Sequence, residues 1–378
     1  MRIHKIHISI VSLQTFLGLV LLFWLPGIVN AQEVRSRFID RISIEGKANY
    51  GFIIPHHQEI WALTDGFFPI LEASLLLQTD GRSNSQYQRH YPQFGLTYLY
   101  SDFGGSEPLG VMHAVIPNLR LPLLRSDKVL ITFGVGLGVA YLSEKYDRIE
   151  NYQNLTIGSH YNAAVNFQLK TSINLSSQLS ASGGISMTHV SNGTIKTPNY
   201  GLNMPALFAG LEYKITRREV IFLKPEQIKK LKGKVNVRLG AAMAIKENSD
   251  VWKKEFRVYI GQMSLGVYYN NTNRLLLDVD AVYDESMKYA MEAAGVPVDN
   301  HEDATKGGIS LGHEWTFDRL SLLANLGYYV YNAEYADELF YNKLGVVFRF
   351  TRYSYASVTL QAHWAKAEFL SFGLGVFI

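Results

Sequence analysis

The 378-residue sequence contains no cysteine, so disulfides and thiolate chemistry are excluded. It also lacks long apolar runs. Beyond the first thirty residues no stretch offers the about 20 consecutive apolar residues that a membrane-spanning helix needs. A mean hydropathy of −0.01 agrees with that absence. Excess charge is missing too. The formal net charge is +3, and without Arg2 and Lys5 it is 3 − 2 = +1, which gives no basis for nucleic-acid binding. There is no Gly-x-Ser-x-Gly elbow of the soluble esterases. His313-Glu314 has no second histidine at helical spacing, so no zincin motif exists. Gly134, Gly136 and Gly138 alternate along a strand and lack the following helix of a phosphate loop. Nothing here calls for a metal or a cofactor.

What is present begins with an export signal. Arg2, His4 and Lys5 form a charged start, Phe16 to Leu25 is apolar, and Pro26 follows. Val29-Asn30-Ala31 supplies small residues for cleavage, so residues 1–31 are expected to be a signal peptide and Gln32 the first mature residue. A cysteine-free exported chain is compatible with a bacterial outer membrane.

The mature part is patterned with a period of two. Ile131, Phe133, Val135, Leu137, Val139 and Tyr141 alternate with Thr132, Gly134, Gly136, Gly138 and Ala140. Met263, Leu265, Val267 and Tyr269 repeat the pattern, as do Val358, Leu360 and Ala362, and finally Leu370, Phe372, Leu374, Val376 and Ile378. Such strands are longer than those of soluble sheets, and their second faces are too small and polar for a packed sandwich core. In hydrocarbon every backbone polar group must be paired, and a closed barrel does this without an edge. The expected class is all-β, a transmembrane antiparallel barrel of the outer-membrane type with about 14–16 strands. One barrel is the simpler reading; two units of about eight strands are the alternative.

The strands are expected to begin at Tyr50, after a charged lead-in. Residues 32–216 form a first half, 217–234 a basic linker, and 235–378 a second half. Pro225 to Leu231 within the linker reads as a short helix. The alternating end of the chain resembles the terminal strand by which outer-membrane barrels are recognised, making the barrel-assembly machinery an expected partner; Ile378 stands where an aromatic is usual. Trp61, Trp252, Trp315 and Tyr328-Tyr329 read as interfacial girdle residues. His56-His57 reads as a polar rim, because neighbours on a strand point to opposite faces, and His363 as a residue of the lumen.

One stretch stands apart. A strand expected over residues 178–191 carries Ala181, Gly183, Ile185 and Met187 on its apolar face, and His189 and Ser191 continue that face. An imidazole and a hydroxyl facing lipid are costly unless lipid is their business. With the N-terminus in the periplasm this seventh strand ends at the outer surface. Histidine is the usual base for a serine nucleophile, and a glycine-containing turn can supply N–H groups to an oxyanion.

His189-x-Ser191-Asn192-Gly193, followed by Pro198-Asn199-x-Gly201-Leu202-Asn203, resembles the PagL family of outer-membrane lipid A 3-O-deacylases, or acyloxyacyl hydrolases. The resemblance covers the first half only. It implies an eight-stranded barrel that removes an ester-linked acyl chain from lipid A, with lipopolysaccharide as partner. It further implies Ser191 as nucleophile, His189 as base, and Asn192, Gly193 and Asn199 as support for the oxyanion. Asn203 stands where the family has a glutamate orienting the histidine. Either Asn203 holds the imidazole as an amide, another carboxylate such as Glu212 substitutes, or catalysis is lost. The competing expectation is a porin-like or structural barrel with a vestigial motif.

Overall fold

The computed structural model describes residues 36–63, 66–228, 230–247, 254–293, 295, 297–298, 301–332, 339–364 and 366–378. The expected signal peptide, residues 1–31, lies outside them, as does Trp252. Among the described residues, sixteen antiparallel strands form two closed barrels of eight consecutive strands each. The chain thus closes twice, realising the two-unit alternative rather than a single sheet. The reason is the fate of the eighth strand. β8 (Leu202–Lys214) pairs along its free side with β1 (Ile42–Gly51), from Ser43↔Lys214 to Gly51↔Ala206. No unpaired edge then remains for β9 (Val235–Glu247), which pairs instead with β16 (Lys366–Phe377).

The first strand starts earlier than the alternation implied. Ile44, Gly46, Ala48 and Tyr50 face outward, while Ser43, Glu45, Lys47 and Asn49 are buried in the lumen. Those inward charges obscured the pattern, and they have partners across the barrel. Glu45 meets Arg120 and Lys170 at 2.7 Å each, Lys47 meets Glu72 at 2.5 Å, and Lys170 meets Glu212 at 3.3 Å. Toward the other end of the lumen the filling becomes apolar, with Ile70, Leu99, Met112, Ile116, Leu142, Val190, Leu202 and Met204 in one cluster. In β5 (Val129–Leu142) the six apolar residues from Ile131 to Tyr141 face outward, and Gly136 and Gly138 face inward. A Cβ on Gly138 would lie 2.7 Å from Ile116 Cα, so glycine permits the close approach there.

The second lumen is also filled by charge pairs: Lys343 with Asp278 and Asp280, and Glu314 with both Arg238 and Arg274. His363 lies inside, 3.1 Å from Glu368. Tyr329 is buried there as well, donating to Glu368, so of the aromatic pair only Tyr328 belongs to the outer wall. No helix among the described residues is long and apolar enough to cross a membrane.

Residues 215–234 contain no helix among the described residues. Their backbone donors find partners on neighbouring turns instead: Ile221 N–H on Ser36 Oγ, Leu223 N–H on the Asp80 carbonyl, and Leu231 N–H on Asn271 Oδ1, each at 2.7 Å. The barrels touch at this end, where Arg89 donates to Thr272 and Asn273, and Ser83 Oγ donates to Asp318 Oδ2. They touch again at the opposite end, around the loop after β7 (Leu179–Ser191).

Candidate active site

Strand parity and register build the site. In β7 Ser180, Ser186, Thr188 and Val190 are buried in the lumen, so His189 and Ser191 stand half-buried on the outer face. Side chains two residues apart share a face, and here Ser191 Oγ lies 2.9 Å from His189 Nε2. The cross-strand partner of His189 in β8 is Asn203. Directly opposed side chains in an antiparallel pair are in contact range, and His189 Nδ1 lies 2.7 Å from Asn203 Oδ1. With the carboxamide oxygen on that side, Nδ1–H donates to Asn203 and Nε2 is left to accept the Ser191 proton.

Asn203 Nδ2 lies 3.3 Å from His56 Nδ1, and His56 Nε2 lies 3.0 Å from the Tyr200 carbonyl. His56 Nδ1 also lies 3.0 Å from the Ile54 carbonyl. His56, assigned from sequence to a polar rim, therefore stands directly behind Asn203. Its neighbour His57 stacks on Tyr200 with centroids 4.2 Å apart. Only the pairing of the segment after β1 with the neighbouring β8 reveals this, through the Ile54 N–H on the Asn203 carbonyl. Glu212 does not join the site. It lies nine positions along β8 from Asn203, hence on the opposite face, where it binds Ser43 and Lys170. No cluster of three or more His, Asp or Glu side chains suited to a metal is found among the described residues.

The loop 192–201 joins β7 to β8 beside the pair. Asn192 N–H donates to Asn199 Oδ1 at 3.0 Å, and Asn192 Nδ2 donates to Ser159 Oγ at 3.0 Å. Tyr200 and Gly201 N–H groups donate to the carbonyls of Leu155 and Thr156. Gly193 takes φ +62° and Gly201 φ +79°, a region that L side chains disfavour. A Cβ on Gly201 would also sit 2.9 Å from His189 Cε1, so this glycine makes room for the imidazole. Lys196 in the loop is bound to Glu247 and Glu255. Burial lowers its pKa, but the bonds to Glu255 and Glu247 outweigh that and leave it raised above 10.5. The lysine is therefore charged and the tie intact at neutral pH, and on the alkaline side it is lost as pH rises through the raised value.

The apolar outer walls, closed lumens and paired strands define an integral β-barrel protein of the bacterial outer membrane. Residues 72–212 match the family model of lipid A 3-O-deacylase (PagL), and residues 234–378 match that of the acyloxyacyl hydrolase C-terminal domain. The two matches lie one in each barrel, so the similarity to PagL-like hydrolases extends through the second barrel as well as the first. No curated protein matches the sequence. Among solved structures, Neisserial surface protein A is similar at 11% identity over 46% of this chain and 96% of that one, with a TM-score of 0.33. The outer membrane enzyme PagL is similar at 18% identity over 44% and 97%, with a TM-score of 0.30. A mutant porin of Rhodopseudomonas blastica is similar at 9% identity over 89% and 98%, with a TM-score of 0.18.

Proposed function

We propose that the protein hydrolyses an ester-linked acyl chain of lipid A, using Ser191 and His189 at the outer leaflet of the outer membrane. The observation that carries this reading is the continuous relay Ser191–His189–Asn203 on the lipid-facing wall, at 2.9 and 2.7 Å, within the segment matched by the deacylase family.

The chemistry follows from the protons. Ser191 Oγ attacks the ester carbonyl carbon while its proton passes to His189 Nε2. The oxyanion formed is met by N–H donors of the loop, for which the Gly193 backbone and the Asn199 carboxamide are the candidates. The tetrahedral intermediate expels the alkoxy oxygen of the ester, which takes the proton from His189 and leaves as an alcohol. Water then gives a proton to His189 and attacks the acyl-serine, and the returning proton restores Ser191 as the fatty acid departs. Asn203 keeps the productive tautomer and ring orientation. As a neutral amide it gives the imidazolium less stabilisation than a carboxylate would. The terminal strand, with Leu370, Phe372, Leu374 and Val376 outward, is the segment offered to the barrel-assembly machinery.

Lipid A profiles by mass spectrometry, from cells expressing the wild-type chain or Ser191→Ala, test the reading. The wild type is expected to yield a species lacking one ester-linked chain, and the variant to yield none. Equal deacylation by both would remove Ser191 from the mechanism.

A further inference from the structure

The ten-position loop that carries the oxyanion candidates is held from two sides. Asn192 and Tyr200–Gly201 are tied to the first barrel through Ser159, Leu155 and Thr156. The middle of the loop is tied to the second barrel. Glu247, the last residue of β9, is buried and meets the loop four times. Its N–H donates to the Thr194 carbonyl at 2.8 Å, its Oε2 accepts from Thr197 N–H at 2.7 Å and from Thr197 Oγ1 at 3.1 Å, and its Oε1 faces Lys196 Nζ at 3.2 Å. Thr194 Oγ1 lies 2.7 Å from the Glu368 carbonyl, at the start of β16. A Cβ on Gly193 would meet Leu370 Cβ of the same strand at 2.9 Å.

The backbone says why such support is needed. Thr194 sits at φ +69°, a conformation that a β-branched residue rarely adopts and that persists only where surrounding contacts over-determine it. Its neighbour Gly193 is also left-handed, and both directly follow Ser191-Asn192. The Thr194 carbonyl is held by Glu247 of the other barrel, and its hydroxyl lies between the Gly193 carbonyl at 2.6 Å and the Glu368 carbonyl of the other barrel at 2.7 Å.

We propose that the second barrel is the positioning unit of the active site. Through Glu247 it fixes the conformation of residues 193–197, and so aims the Gly193 N–H and the Asn199 carboxamide at the reacting carbonyl. This rests on the hydrolase reading above, and it makes Glu247 a positioning residue that touches no substrate. A buried carboxylate accepting a main-chain N–H is a strong and directional contact. Its loss would release the loop without disturbing the Ser191–His189 pair.

The test uses the full chain in detergent or outer-membrane vesicles, as wild type, Glu247→Ala and Glu247→Gln. Folding is checked by melting midpoint. Amide hydrogen exchange is read over residues 192–201, and kcat and KM are read on lipid A. In Glu247→Ala, exchange across 193–197 is expected to quicken about tenfold or more. Its kcat is expected to fall by about 10²-fold at near-constant KM, the scale for a misaimed group. Glu247→Gln keeps an oxygen for Thr197 N–H and is expected to recover most of both. Unchanged exchange in both variants would overturn the proposal, and so would faster exchange with kcat intact. A wild type without deacylation whose exchange still responds to Glu247→Ala would instead sink the lipid A reading and leave the clasp standing.

Discussion

The seventh strand of each barrel carries a histidine in its last three residues, and the two histidines face opposite ways. His189 of β7 stands on the outer wall beside Ser191 and opposite Asn203. His363 of β15 (Ser354–His363) points into its lumen, 3.1 Å from Glu368. Side-chain direction alternates along a strand, so one step of parity separates a group offered to lipid from a group spent on filling a barrel. The connections differ as well. Residues 192–201 follow β7, whereas only 364–365 join β15 to β16. A ten-residue loop with left-handed positions can present N–H groups to a ligand. Two barrels of equal strand number thus differ in role on the proposed reading, one bearing the Ser191–His189 pair and the other gripping the loop beside it.

The comparison breaks most visibly at the nucleophile. Ser191→Ala is expected to lower deacylation by about 10⁴-fold or more, the scale of removing a member of a serine–histidine pair. His363→Ala is expected to leave kcat within about twofold while lowering the melting midpoint, because it takes a partner from a buried carboxylate. Deacylation rates and melting curves for the two variants would separate these roles, and equal loss of activity in both would dissolve the contrast. Next in size is Gly201→Ala, which adds a side chain at φ +79° and against His189. A displaced imidazole is expected to cost about 10²-fold in kcat with the barrel still folded.

Lumen charges sharpen the comparison from the side of stability. Glu45→Ala in the first barrel leaves Arg120 without its carboxylate and Lys170 with Glu212 alone, and Glu314→Ala in the second strips the carboxylate from both Arg238 and Arg274. Each is expected to destabilise its own barrel by about 3–5 kcal/mol, the usual cost of a stranded buried charge. Denaturant unfolding in micelles would read this, and an effect under 1 kcal/mol (on the same scale) would mean that water replaces the lost partner. The smallest expected signal is electrical. Both lumens are filled, the first by an apolar cluster above an ion network, so planar bilayers containing the protein should show no steady conductance. Stable channels would revive a porin-like role for one of the two barrels.

Much of this was legible in the sequence. The alternation from Ile131 to Tyr141 announced a lipid-facing strand, and the same logic set His189 and Ser191 on one face. Illegible parts were those in which inward residues carry charge. Ser43, Glu45, Lys47 and Asn49 look like a solvated lead-in until Arg120, Lys170 and Glu72 are brought opposite them. His56 and Glu247 were invisible as site residues because their partners are 147 and 50 positions away.

By itself, then, the sequence determined which way each side chain of a strand points, since that depends only on local backbone geometry. It thereby determined that an imidazole and a hydroxyl face lipid together. The closure of β8 on β1 rather than on β9 was decided only by tertiary structure. So were the placing of Asn203 opposite His189 and the capture of Thr194 by Glu247 and Glu368. These are matters of register and pairing between distant segments, fixed by the requirement that every strand edge and buried charge find a partner within the membrane.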